Sequence, residues 1–270
     1  MSIEPELLEQ VEISTRHSGS APELFGAAWK RAAGLAGLAF FRSGMRRAQE
    51  SANTKWELLP DVAHISHAIG AMSSGERVFI AALVSLYNSK EGGKLLRRVG
   101  VEGLADLGGL DLQRRILIAA LVLSIEPGCN PTFQQQPDSV QRTMSRAELF
   151  EQVDIESRHF QGAPVRFLST WKRAAVLAGI EHFGTGTRSA LENATTKWDL
   201  TPDVTRISDA LCLMNSGERL FIAALVSFYN SQDGGQLLKR AGFKGLADLG
   251  RLDLPRRTLI ATLILNYTGW

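Results

Sequence analysis

The sequence predicts an all-α fold, read as a tandem duplication of a five- to six-helix bundle-like domain. One stretch, Ser73 to Ser89 (SSGERVFIAALVSLYNS), returns as Asn215 to Ser231 (NSGERLFIAALVSFYNS). Within it Phe79, Leu83, Leu86 and Tyr87 recur at spacings of three and four, which puts them on one helical face. No sustained apolar–polar alternation of the kind that marks strands occurs anywhere in the chain.

The likeness extends well beyond that stretch. At one constant displacement Trp29 matches Trp171, Trp56 matches Trp198, Asp111 matches Asp253 and Arg16-His17 matches Arg158-His159. Roughly two-thirds of positions 53–124, and about half of 6–52, are identical to their counterparts, with no gap between them. A repeat of that length is a whole domain. The expected organisation is therefore 1–128 as one helical unit, 129–143 as a polar, proline-bearing linker, and 144–270 as a second unit. Two such units can pack about a pseudo-twofold axis, as a homodimer fused into one chain would.

In chain order, residues 4–15 read as a short amphipathic arm. Ser20-Ala21-Pro22-Glu23 follows with a capping serine, a proline and a glutamate suited to a helix start. A long helix is expected from about Pro22 to Ala52, with Gly44 and Gly186 as places for a break. Pro60 and Pro202 are expected to open a second helix reaching about Met72 and Met214. The repeated central helix starts at Ser73 or Asn215, where glutamate three residues on completes a capping box. It is expected to stop near Gly92-Gly93 and Gly234-Gly235. A short piece, Lys94 to Arg98, and a single turn at Leu104 to Leu107 lead to a last, buried helix. Asp111 and Asp253 are its N-caps, and Pro255 beside Asp253 suits a first turn.

Composition bounds the functional classes. The chain is 44% hydrophobic and 21% charged, with a net charge of +2. That balance does not favour a protein living on phosphate backbones. The two cysteines, Cys129 and Cys212, build neither a disulfide framework nor a four-cysteine zinc site. A soluble, cytoplasmic protein with no membrane association is expected, since the apolar runs fall short of the roughly 20 residues a spanning helix needs.

The candidate binding residues are basic and mostly repeated. Arg16-His17 and Arg158-His159, read as lying in a loop before the long helix, could bind an anion or supply a base. Lys30-Arg31 and Lys172-Arg173 follow buried-type tryptophans, as do Lys55-Trp56 and Lys197-Trp198 in the reverse order. Each tryptophan is expected in the core, with its lysine reaching outward. Arg114-Arg115 and Arg256-Arg257 sit in the first turn of the last helix, where cations oppose the dipole. An acidic partner is expected to offset them, either Asp106 and Asp248 within the fold or a group on a binding partner. His64 and His67 share a helical face, but Arg206 and Asp209 replace them in the second unit, and no metal site or other cofactor is expected. No nucleophile paired with a base, phosphate loop or zinc signature stands out, and no catalytic residue is assigned.

The expected function is a non-enzymatic helical binding or regulatory protein whose two units present related surfaces to a protein partner. A nucleic-acid-associated regulator is the alternative, using Lys30, Arg31, Lys55, Arg114 and Arg115 on phosphates. A third reading is an enzyme with a polar pocket near His17 or His159.

Overall fold

The computed structural model describes residues 24–42, 51–52, 57–125 and 146–269. Arg16, His17, Lys55, Trp56, Cys129, Trp270 and the expected linker 129–143 lie outside them. Among the described residues the protein is all-α, and its only β features are two isolated bridges, Phe41 with Pro60 and Phe183 with Pro202. The helices of the first half are α1 (24–36), α2 (Val62–Ala68), α3 (Ser74–Tyr87), α4 (Ser89–Arg98) and α5 (Leu112–Ser124). Those of the second half are α6 (Arg146–Ala178), α7 (Arg188–Asn193), α8 (Val204–Ala210), α9 (Ser216–Tyr229), α10 (Ser231–Arg240) and α11 (Leu254–Asn266). Each half also has a 3-10 segment before its last helix, Leu104–Gly109 and Leu246–Arg251.

The central helices α3 and α9 begin as the capping pattern dictates. Ser73 Oγ accepts from the Glu76 amide, and the Glu76 carboxylate accepts from the Ser73 amide at 2.9 Å. Asn215 and Glu218 repeat the exchange. Phe79, Leu83, Phe221 and Leu225 are each at most 1% exposed, but every residue from Phe79 to Leu86 is buried, so the helix is enclosed on all sides rather than along one three-four face. Trp29 stacks on Phe25 and meets Phe41 edge-on, and Trp171 does the same with Phe167 and Phe183. Both indoles are fully buried and donate to a carbonyl, Leu58 O and Leu200 O, each at 3.4 Å. The buried apolar side chains of the two halves form one continuous cluster.

Several boundaries differ from the sequence reading. The long first helix does not reach Ala52. It stops at Gly37 in one half and Gly179 in the other, where φ of 100° and 102° takes the backbone into a region that L side chains avoid. In the second half that helix starts far earlier than expected and runs straight through Pro164. Pro164 has no N–H to give, and Arg166 just beyond it donates to the His159 carbonyl at 2.6 Å, in the turn the proline loosens. The start expected at Ser20-Ala21 lies outside the described residues. Pro60 and Pro202 sit in the bridges, and the helices after them are capped by Asp61 and Asp203.

Gly92-Gly93 does not end the central helix. Asn88 closes α3 and, through its side-chain oxygen, caps α4, so the two helices meet with no loop between them. The glycine pair lies inside α4 because of what presses on it. A Cβ at Gly92 would stand 2.1 Å from the Ser85 backbone, and one at Gly93 would stand 1.6 Å from the Lys244 carbonyl oxygen of the other half.

That contact belongs to a seam whose interactions come in matched pairs. Ser227 Oγ accepts from the Leu104 amide at 3.1 Å, and Ser85 Oγ accepts from the Leu246 amide at 2.6 Å. A Cβ on Gly235 would meet the Glu102 carbonyl oxygen at 2.7 Å, just as Gly93 meets that of Lys244. Helices α5 and α11 run antiparallel across the seam. Arg115 at the start of α5 donates to the Tyr267 and Leu265 carbonyls at the end of α11, and Arg257 at the start of α11 donates to the Leu123 carbonyl near the end of α5.

Candidate functional site

Those arginines show what the structure does with most of the sequence-derived candidates. Arg115 is 1% exposed and Arg257 6% exposed, so neither is a surface cation. Each sits where the negative end of the neighbouring helix needs a positive charge, which offsets their poor position on their own helix. Arg114 and Arg256 pair with the capping carboxylates of Asp111 and Asp253 and lie 5.7 Å from the Phe79 and Phe221 ring centres. Asp106, the acid expected to serve the arginines, instead accepts from the amides of Glu102 and Gly103 and from Ser231 Oγ across the seam. Asp248 accepts from the amides of Lys244 and Gly245.

His159 lies within α6 rather than in a loop. Its Nε2 is 3.2 Å from the Leu265 carbonyl, which can only accept, so that nitrogen carries the proton. Arg166 NH2, which can only donate, is 3.3 Å from Nδ1. The ring is therefore held as one neutral tautomer. Burial, and behind it the charges of Arg166 and Arg115, keeps its pKa below the ordinary histidine value. Arg166 Nε also donates to Asn266 at 2.8 Å, completing a clasp between α6 and α11. With both ring nitrogens occupied and no carboxylate among these contacts, the geometry is that of a fastening.

The Lys197-Trp198 pair inverts the expectation. Lys197 is 2% exposed, whereas Trp198 is 48% exposed. The ammonium lies 4.6 Å from the Trp198 ring centre, 5.0 Å from that of Tyr267 and 5.9 Å from that of Tyr229. Its Nζ donates to the Phe228 carbonyl at 3.4 Å. Aromatic faces compensate a buried cation only in part, and burial pushes the Lys197 pKa down to about 8.

What remains outside is the far side of α6. Arg158, Val165, Ser169, Arg173 and Val176 follow one another at seven, four, four and three residues, so they share one face, and all five are exposed. Val165 is 74% exposed and Val176 58% exposed, with Leu177 at the edge. Lys172 borders the face and reaches the Glu192 carbonyl at 3.0 Å. No Asp or Glu occurs from 157 to 178. In the first half Arg31 is exposed and Lys30 is part-buried, and 24–36 likewise lacks an acid. The sequence reading did not single out Val165 and Val176, and the continuation of α6 back through Pro164 adds Arg158 to their face.

A second exposed feature is a shallow hollow of about 510 Å³ lined by Asp203, Thr205, Arg206, Asp209, Ala210 and Leu213, of which Leu213 is 87% exposed. His64, opposite Arg206 in the repeat, packs beside Phe40 at 5.3 Å between ring centres. Among the described residues no group of three or more His, Cys, Asp or Glu side chains could hold a metal ion. No helix among them is long and apolar enough to cross a membrane. Compared with known protein families, characterised proteins and solved structures, the chain matches none.

Proposed function

We propose that the chain is a non-enzymatic helical binding protein, built as a tandem duplication whose halves form a pseudo-dimer and present an outer helical surface to a protein partner. The paired seam contacts support the pseudo-dimer. Serine to amide, arginine to helix end and glycine to carbonyl each occur twice with the halves exchanged, the pattern of an isologous interface. The binding reading is carried by the outward face of α6, where two valines stay open to solvent on a helix whose opposite side is fully buried. Of the basic candidates, Arg115 and Arg257 are buried against helix ends, while Arg31, Arg158 and Arg173 are exposed.

The test is a photo-crosslinking side chain placed at Ser169 in the native cell, with the same group at exposed Thr258 as the control. A protein adduct is expected at Ser169 alone, and it should vanish in the Val165→Asp/Val176→Asp background. An adduct that is nucleic acid, or one that survives the double substitution, overturns the reading.

A further inference from the structure

We propose that His159 is an acid-operated release for the part of α6 ahead of Pro164. A proton taken up at Nδ1 breaks the clasp with Arg166 and Leu265, and residues 146–163 come away from α11 while the rest of the chain stays folded. Nothing in this depends on what the outer face of α6 binds. On α6 the charged group facing the ring is Arg166, whose NH2 lies 3.3 Å from Nδ1. α5 brings Arg115, whose NH1 shares the Leu265 carbonyl with His159 Nε2, at 3.4 and 3.2 Å. α11 brings backbone carbonyls and the neutral side chain of Asn266. Phe160 meets the ring edge-on at 5.6 Å between centres. Of the positions one turn away on α6, Glu156 is the only titratable one, and its side chain lies outside the described residues. Both nitrogens of a protonated imidazole donate. Nδ1 would then turn a proton on a guanidinium that can only donate, and two cations would meet with no carboxylate among these contacts. Burial first, and then the charges of Arg166 and Arg115, lower the pKa of the ring, against the Leu265 carbonyl, which favours the charged form. The release therefore falls on the acid side of the ordinary histidine value.

How α6 is held decides what comes loose. Beyond Pro164 the helix is anchored by Phe167, Trp171, Ala174 and Ala175, all 0% exposed. From 157 to 163 only Ala163 is buried, and His159 and Phe160 are half-buried. Pro164 has no N–H to give the Phe160 carbonyl, so the two parts of the helix are joined there by one backbone bond fewer. Arg166 spans this joint. Its NH2 holds the His159 carbonyl at 2.6 Å, and its Nε holds Asn266 Oδ1 at 2.8 Å. Gly162 makes room for it, since a Cβ there would stand 2.5 Å from Arg166 NH1. The first half has Ser20, Leu24 and Ser124 where the second has Gly162, Arg166 and Asn266, so the arginine-bridged clasp belongs to the second half alone.

The experiment is amide hydrogen exchange of the full chain between pH 7.5 and pH 5.0, corrected for the intrinsic pH dependence of exchange, with carbon-13-labelled histidine to follow the ring. Amides of 157–163 should lose about tenfold or more of their protection at the acid end, while those of 168–178 and of α9 keep theirs. The midpoint of that loss should coincide with the titration of the His159 ring resonance, picked out from the five histidines by its disappearance in His159→Gln. His159→Gln should abolish the step, and Glu156→Gln should retain it. Unchanged protection at 157–163, loosening of α9 together with α6, a step that persists in His159→Gln, or one that vanishes in Glu156→Gln overturns the proposal. A ring that titrates with no step also overturns it, because the protonated imidazole is then housed in place. If His159→Gln is loose at both ends of the range, the two midpoints in the parent chain decide: coincidence upholds the release and separation overturns it.

Discussion

Matched positions of the two halves are identical along the seam between them and differ on the short outer helices. At the seam Ser85 and Ser227, Gly93 and Gly235, Leu104 and Leu246, and Arg115 and Arg257 are identical pairs. On α2 and α8 and just beyond, Ala63 faces Thr205 in the repeat, His64 faces Arg206, His67 faces Asp209, and Ala71 faces Leu213. Packing separates the two regions. A seam residue must fit the opposite half, whereas His64, His67, Thr205, Arg206 and Asp209 are exposed. Even within the seam the rule is local. Glu102 and Lys244 differ freely because only their carbonyls make the close contact.

The strongest way to break the comparison is one added methyl group. Gly93→Ala would set a Cβ 1.6 Å from the Lys244 carbonyl, and neither backbone can yield without opening the seam. Overpacking of this kind costs about 3 kcal/mol or more. The outer control is Gly70→Ala, where a Cβ meets nothing within 4 Å and the change should stay within about 0.5 kcal/mol. Urea unfolding of both variants decides, and equal midpoints would remove the distinction between seam and outer surface.

Leucine truncation should rank the same way. Leu83→Ala removes a side chain that is 1% exposed and should cost about 2–5 kcal/mol, while Leu213→Ala, at 87% exposed, should be near neutral. A smaller step is Ser227→Ala, which strips the buried Leu104 amide of its acceptor and should cost about 1–3 kcal/mol. A cost no greater than that of the exposed Ser216→Ala would show that the hydroxyl contributes nothing to the seam.

The smallest expected effects are pH dependences. Lys197 has a folded pKa near 8 against its ordinary 10.5, so between those values the unfolded chain binds the proton and the folded chain does not. Stability from this group therefore rises as pH climbs from about 8 towards 10.5, and the penalty is constant below 8. Lys197→Met should melt higher than the parent protein at pH 7 and lose that advantage as pH approaches 10. His159, lowered below 6.5 by burial, works in the same sense at lower pH: the fold loses stability as pH falls through 6.5 towards the folded pKa. His159→Gln should flatten that limb of a melting-temperature profile, and an unchanged limb would show that the clasp plays no part in it.

The helical class, the central capping boxes and the Asp111 and Asp253 caps were all legible because each is written in local spacing and short-range hydrogen bonding. The capping box needs only residues three apart. Gly92-Gly93 misled for the complementary reason. Read locally, two glycines end a helix. In the fold they let Ser85 and the Lys244 carbonyl approach a helix that continues.

The sequence by itself determined the helical class and the caps of its central and last helices, since those depend on neighbours along the chain. Only the tertiary structure decided the fate of the charges. Arg115 and Arg257 look like surface cations until the end of the opposite helix arrives at their guanidinium groups. Lys197 and Trp198 exchange the positions that their polarity would assign. Arg158 joins the face of Val165 and Val176 only because α6 continues through Pro164. Each outcome turns on contacts between residues distant in sequence, or on a helix carrying past its usual stop, where local propensity is silent.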